Sequence, residues 1–319
     1  DKFRRSHDII LLDTPPHAVI ATILPLLEGG PRRLVHGVLS SLFRAEAQLP
    51  PPALPAAWEA RWTDAWGPDE AAAAALRLAE IPPTDLCLAD PAGTADWTRR
   101  LGGTSLAPGH VRLPGSQAVE ALAGYDTGAW WVQDIAASLP ARLLGDVAGA
   151  RVLDLCAAPG GKTLQLAAAG AQVTALDISA ARLKRLRANL ARTALKAEVV
   201  EADALAWAPD APFDAILLDA PCSATGTFRR HPDLLHLKQD LVLDRLVALQ
   251  SALLARAAGW LKPGGRLVYA VCSLEPAEGE GVPPPAGLLA DPVGPSELPA
   301  GLSPAGSHVR TLPALWGDA

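Results

Sequence analysis

The sequence predicts an α/β protein: a doubly wound, mostly parallel sheet, preceded by an all-helical segment and a small α+β joining region. Three observations carry that expectation. In RVLDLCAAPGGKTLQLA (151–167) a short apolar run meets a Pro-Gly-Gly break and then an alanine-rich helical run. Four more apolar runs follow at βαβ spacing: VTALDIS, AEVVEADA, FDAILLDAP and LVYAVCS. The first 80 residues show helical spacing instead, with no strand alternation. The expected boundaries are 1–80, 81–150 and 151–319.

The amino-terminal segment reads as helices over HAVIATILPLLEG, RRLVHGVLSSLFRAEAQL, PAAWEARWTDAWG and DEAAAAALRLAE. Leu34, Val38, Leu39 and Leu42 recur at the spacing of one helix face. Gly29-Gly30-Pro31 and Pro50-Pro51-Pro52 break the pattern. In the joining region, DLCLAD, TADWTRRLGG and HVRLPG predict strand, helix, strand. GAWWVQDIAASLPARLLG then predicts a strand and a helix, with Trp130, Trp131 and Gln133 filling a domain junction or offering aromatic faces to a base.

In the sheet region, Gly160 and Gly161 let backbone approach a ligand where the next helix presents free N–H groups. The pattern is neither G-x-x-x-x-G-K-[ST] nor G-x-G-x-x-G, so phosphate-cradling and dinucleotide loops are not indicated. Asp154, Asp177, Asp203 and Asp219 stand at or near the carboxyl ends of four successive strands, where open α/β sheets bind ligands. An acid in the position of Asp177 suits a ribose diol.

Cys222 and Cys272 each stand at a strand end, followed by Ser and a turn. Two thiols beside a nucleotide-type loop imply group transfer to a carbon activated by covalent attack. Cys87 and Cys156 read as structural. No C-x-x-C pair occurs, so no metal site is expected. Four cysteines in a long, core-rich chain fit a reducing compartment, though proximity leaves a Cys222–Cys272 disulfide open.

At this point the chain resembles a known family. DLCAAPGGKT, LDAPCSATGTFRRHPD and KPGGRLVYAVCSLEPAEGE are similar to the signature segments of the Nop/Sun-type RNA 5-methylcytosine methyltransferases, nearest the RsmB (Sun/Fmu) branch. The resemblance is dense over 150–280. It implies a Rossmann-like methyltransferase sheet behind an all-α, NusB-like RNA-binding domain. It implies S-adenosyl-L-methionine as cofactor and methylation at C5 of a cytosine, through a cysteine adduct at C6. The expected substrate is 16S (small-subunit) ribosomal RNA, free or in an early particle. A transfer RNA or other ribosomal substrate, or a non-catalytic RNA-binding or assembly role, stands as the alternative. By resemblance Cys272 is the nucleophile, Cys222 assists release, and Asp219 holds the pyrimidine edge. The cofactor contacts implied are Cys156, Ala157, Ala158, Pro159, Gly160, Gly161, Lys162, Asp177, Asp203 and Asp219. The RNA contacts implied are Lys162, Arg229 and Arg230.

The net charge of −6 argues against a general nucleic-acid surface, but it is uneven. Residues 151–270 hold 15 Lys+Arg against 11 Asp+Glu, and ARLKRLRANLARTALK (181–196) is strongly basic. That run is either a solvated face or a phosphate-contact surface. No apolar run of membrane-spanning length appears and the start lacks signal-peptide form, so a cytoplasmic enzyme is expected; a monomer is expected as well, although the sequence does not reveal oligomeric state. Val271 replaces the Thr many relatives carry before the nucleophile. The Pro-rich run after Glu280, the absence of Met and the missing final strand lead to the expectation that residues are absent from this sequence.

Overall fold

A computed structural model describes residues 29–44, 52–115, 117–238 and 242–315. Two compact units emerge: residues 1–82 with 228–236, and residues 83–227 with 237–319. The expected helix over 17–29 lies almost wholly outside the described residues.

The first unit is helical where described. Helix α1 spans Gly29–Arg44, α2 Ala56–Trp66 and α3 Pro68–Arg77. The Gly29-Gly30-Pro31 break starts α1, with proline in the first turn where its missing N–H costs nothing. Pro68 opens α3 in the same way. Leu34 and Val38 are exposed on α1. Trp58 and Trp62 lie four residues apart on α2, so both rings fall on one face, with centroids 5.6 Å apart. Phe228 packs on Trp62 at 5.3 Å, and Trp58 Nε1 donates to the Leu235 carbonyl over 2.6 Å. The segment 228–236, expected as part of the third domain, thus completes the core of the helical unit.

The second unit carries both sheets. Strands β1 (Thr84–Leu88), β2 (His110–Leu113) and β3 (Trp130–Val132) form an antiparallel sheet in the order β2-β1-β3. Helix α4 (Thr94–Leu101) joins β1 to β2, and α5 (Ile135–Arg142) follows β3. Residues 83–150, expected as a separate joining region, thus share one compact unit with the larger sheet. Buried Asp85 organises the small sheet. It accepts from Arg112 Nε at 2.8 Å and from the Ile135 amide at 3.1 Å. Burial alone would raise this carboxyl, but His110 and Arg112 hold it well below the usual range.

The larger sheet is wholly parallel. Its strands are β4 (Arg151–Leu155), β5 (Gln172–Asp177), β6 (Glu198–Glu201), β7 (Phe213–Asp219) and β8 (Leu261–Ala270). Their order is β6-β5-β4-β7-β8. The chain leaves β4 for one edge and returns to its other side at β7, so the topological switch lies between β4 and β7. Helix α6 (Gly161–Ala168) joins β4 to β5, and α7 (Ala180–Thr193) joins β5 to β6. Short α8 (Leu234–Leu237) and long α9 (Asp244–Gly259) lie between β7 and β8. Val152, Leu153, Leu155, Ile216, Leu217 and Leu218 are fully buried, which explains their unbroken apolar runs. Each such side chain contributes about 1.5–3 kcal/mol on burial. Among the described residues no strand pairs with the far edge of β8.

Candidate active site

The switch point gathers most of the expected residues. After β4 the backbone turns sharply: Cys156 has φ 63° and Gly160 φ 109°. A Cβ at Gly160 would stand 2.9 Å from Leu186 Cγ, so both conformation and space require glycine there. Asp177, at the end of β5, braces this loop. Its Oδ2 accepts the Ala158 amide at 3.0 Å and its Oδ1 the Ser179 amide at 2.9 Å. Arg182 pairs with Asp177 at 3.2 Å and also donates to the Ala158 carbonyl. Asp177 is only 2% exposed, whereas Asp203 beyond β6 is exposed and accepts the Leu205 amide at 2.9 Å.

Asp154 does not line the sheet edge. It is fully buried, accepts from Thr163 Oγ1 at 2.5 Å, and leaves Oδ1 without a partner. Burial, assisted by Asp219 and Asp177 and opposed by Thr163 and Lys162, pushes its carboxyl up to about 7. Sequence reading missed this residue's burial, because strand position alone does not tell which face a side chain takes.

Lys162 projects from the first turn of α6 and pairs with Asp219 at 2.7 Å. This bond ties the glycine loop to the end of β7. Two residues beyond β8 stands Cys272, exposed, and three beyond β7 stands half-buried Cys222. Their sulfur atoms are 3.5 Å apart and both thiols are free. The pair is electrostatically unequal. Cys222 is pushed far up by its hydrogen bond to Cys272, by burial, and by the charges of Cys272 and Glu278. Cys272 is held below the usual thiol range by the bond from Cys222, with help from Lys162, against burial and Asp219. The two sulfurs are within hydrogen-bond reach of one another, and the opposite directions of their shifts favour ionisation of Cys272 over Cys222.

The remaining cysteines are inert by the same physics. Burial pushes both Cys87 and Cys156 up to about 12, and nearby carboxylates add to it at Cys156. Trp130 and Trp131 are buried, and Trp131 Nε1 donates to Gln133 Oε1 at 2.6 Å. Gln133 Nε2 donates to Gln165 on α6 at 2.5 Å, so this trio packs β3 behind the glycine loop. Arg229 and Arg230 belong to the helical unit, where Arg229 reaches Glu80 at 3.3 Å.

Two residues went unnoticed in the sequence. Ile178, directly after Asp177, is 69% exposed at the carboxyl end of β5. Glu278 is fully buried beside both cysteine loops. Neither signal exists without coordinates, since an apolar residue at a strand end and an acid in a turn are both ordinary. Among the described residues no helix is long and apolar enough to cross a membrane, and no group of three or more His, Cys, Asp or Glu is placed to hold a metal.

Residues 141–283 match the model of a family described as 16S rRNA methyltransferase RsmB/F. The ribosomal RNA small subunit methyltransferase B of Erwinia tasmaniensis is 48% identical over 173 residues, 53% of this chain and 40% of that protein. The chain thus spans less than half the length of the curated relatives it matches. A methyltransferase homologue from Pyrococcus horikoshii is similar at 30% identity and TM-score 0.56, over 70% of this chain and 75% of that one. NSun6 from Pyrococcus horikoshii, solved with SFG, shares the fold at TM-score 0.62 and 18% identity, over 72% of this chain and 86% of that one.

Proposed function

We propose that the chain is a methyltransferase of the RsmB/F family, as the match of residues 141–283 and its methyltransferase relatives support, and that it methylates C5 of a cytosine in small-subunit ribosomal RNA with S-adenosyl-L-methionine as donor. The observation that carries the reading is the 3.5 Å thiol pair of unequal acidity beside the glycine loop.

The residues present fit this cofactor. The loop Cys156, Ala157, Ala158, Pro159, Gly160, Gly161 and Lys162 brings backbone amides to the start of α6. Exposed Ile178 offers an apolar face to a purine, and exposed Asp203 an acceptor to its amino group. The ribose diol is assigned to Asp177 by its place at the end of β5, although in this structure both its oxygens brace the loop. When bound, S-adenosyl-L-methionine supplies an electrophilic methyl group.

The chain's own groups do the rest. Cytosine C5 is a poor nucleophile. The Cys272 thiolate adds to C6, forming the S–C6 bond and leaving C5 enamine-like and able to take the methyl. Asp219, anchored by Lys162, holds the pyrimidine edge against Cys272. Once Cys272 is a thioether it carries no charge and no longer holds the Cys222 proton in place. Cys222 then gives its proton to solvent water and serves release: as thiolate it takes the C5 proton while the electron pair re-forms the C5–C6 double bond and expels Cys272 as thiolate.

Local basic charge supports an RNA substrate. Helix α7 exposes Lys184, Arg185 and Arg187, and no acid occurs over 179–197. The test is transfer of labelled methyl to undermethylated small-subunit ribosomal RNA, with nucleoside analysis. Label in 5-methylcytidine is expected. A cofactor-binding protein that labels no cytosine in any RNA offered would overturn the reading.

A further inference from the structure

Each thiol is followed by a serine, and both serines end on one carboxylate. Glu278 Oε1 accepts the Ser223 amide at 2.9 Å and Gln250 Nε2 at 3.0 Å. Its Oε2 accepts Ser273 Oγ at 2.6 Å and also Ser223 Oγ. Four donors fill the acceptor sites of a carboxylate, which is how a fully buried charge is accommodated. Gln250 Nε2 also reaches the Pro221 carbonyl at 2.9 Å, so the residues on both sides of Cys222 are held. Two further bonds join the loops: Thr225 Oγ1 accepts the Leu274 amide at 2.9 Å, and the Gly226 amide donates to the Cys272 carbonyl at 3.1 Å.

We propose that Glu278 is the positioning residue of the thiol pair, fixing the approach of Cys222 to Cys272 through Ser223 and Ser273 and setting its charge beside Cys222. The proposal rests on the reading above only for the methyl-transfer step. Other groups face the pair as well. Lys162 and Asp219 act on Cys272, and Tyr269 lies in the field of Cys222. Lys238 donates to the Ser223 carbonyl and Arg310 to the Ser273 carbonyl. Among the acids in this set, Glu278 alone bonds to both cysteine loops. Its charge opposes ionisation of Cys222 and so preserves the difference between the two sulfurs.

The test uses iodoacetamide on the full chain, with peptide mass spectrometry to score each cysteine across pH. No RNA is required. In the parent protein Cys272 is expected to react about 10-fold or more faster than Cys222. Glu278→Ala is expected to bring the two rates together and to lower methyl transfer on the order of 10²-fold. Glu278→Gln is the conservative variant. Its amide oxygen accepts from the Ser223 amide and Gln250, and its amide nitrogen donates to the two hydroxyls. It is expected to keep most of the transfer rate while Cys222 alkylation moves to lower pH, because the opposing charge is gone. A folded variant of either kind that keeps the parent's alkylation ratio and pH profile overturns the proposal. If Glu278→Ala does not fold, Glu278→Gln decides alone. Failure of the RNA reaction leaves the alkylation result standing, so the two readings fail separately.

Discussion

Cys222 and Cys272 are 50 residues apart in the chain and their sulfurs stand 3.5 Å apart. The parallel pairing of β7 with β8 brings them together, because Asp219 and Ala270 are register partners. Each thiol follows its strand end by two or three residues, and the Glu278 network closes the gap.

The two thiols are expected to behave differently when removed. Cys272→Ala abolishes formation of 5-methylcytidine while cofactor affinity, measured by calorimetric titration, stays within about 2-fold, inside the usual scatter of single contacts. Cys222→Ser instead accumulates a protein–RNA adduct that survives a denaturing gel. Full activity in both variants would refute the covalent mechanism.

Mild oxidation with diamide is expected to join Cys222 and Cys272, since little movement separates 3.5 Å from a bond. The predicted result is a mass loss of two hydrogens, loss of transfer, and recovery with dithiothreitol. Persistence of activity after complete disulfide formation would exclude both thiols from the reaction.

Gly160→Ala places a Cβ at φ 109° and against Leu186. Left-handed backbone alone costs about 1–2 kcal/mol, and the clash adds to it. Urea denaturation is expected to show that loss, with weaker cofactor binding. An unchanged midpoint would show that the loop relaxes freely.

Asp154 gives a pH signature. Its folded-state value of about 7 lies above its unfolded value, so the folded state binds the extra proton between roughly pH 4 and 7. Stability from this group is full below the unfolded value and is lost as pH rises through 7. Asp154→Asn keeps an acceptor for Thr163 and removes the titration. Thermal melts are expected to show the variant gaining on the parent from pH 5 to 8; parallel curves would contradict the assignment.

Reversing Lys184, Arg185 and Arg187 to Glu is expected to weaken RNA binding. The slope of log affinity against log salt should fall in magnitude by roughly two to three, matching about three lost phosphate contacts. Equal slopes for parent and variant would mark α7 as a merely solvated face.

By itself the sequence determined the run of strands and helices in the sheet region and the residues that stand at the strand ends. Unbroken apolar runs such as Ile216 to Leu218 suit strands covered on both faces, and all three side chains are buried. Strand alternation with helices then leads to a sheet whose carboxyl ends hold the loops bearing Gly160, Asp219, Cys222 and Cys272. Tertiary structure alone decided which of those residues meet, because hydrogen-bond partners lie far apart in the chain. It buried Asp154 under α6, committed Lys162 to Asp219, and gathered Ser223, Gln250 and Ser273 on Glu278. It also drew 228–236 into the helical unit. Local pattern encodes the period and the burial of a segment. Charge state and partnership arise from desolvation and distance, which exist only once the chain has closed on itself.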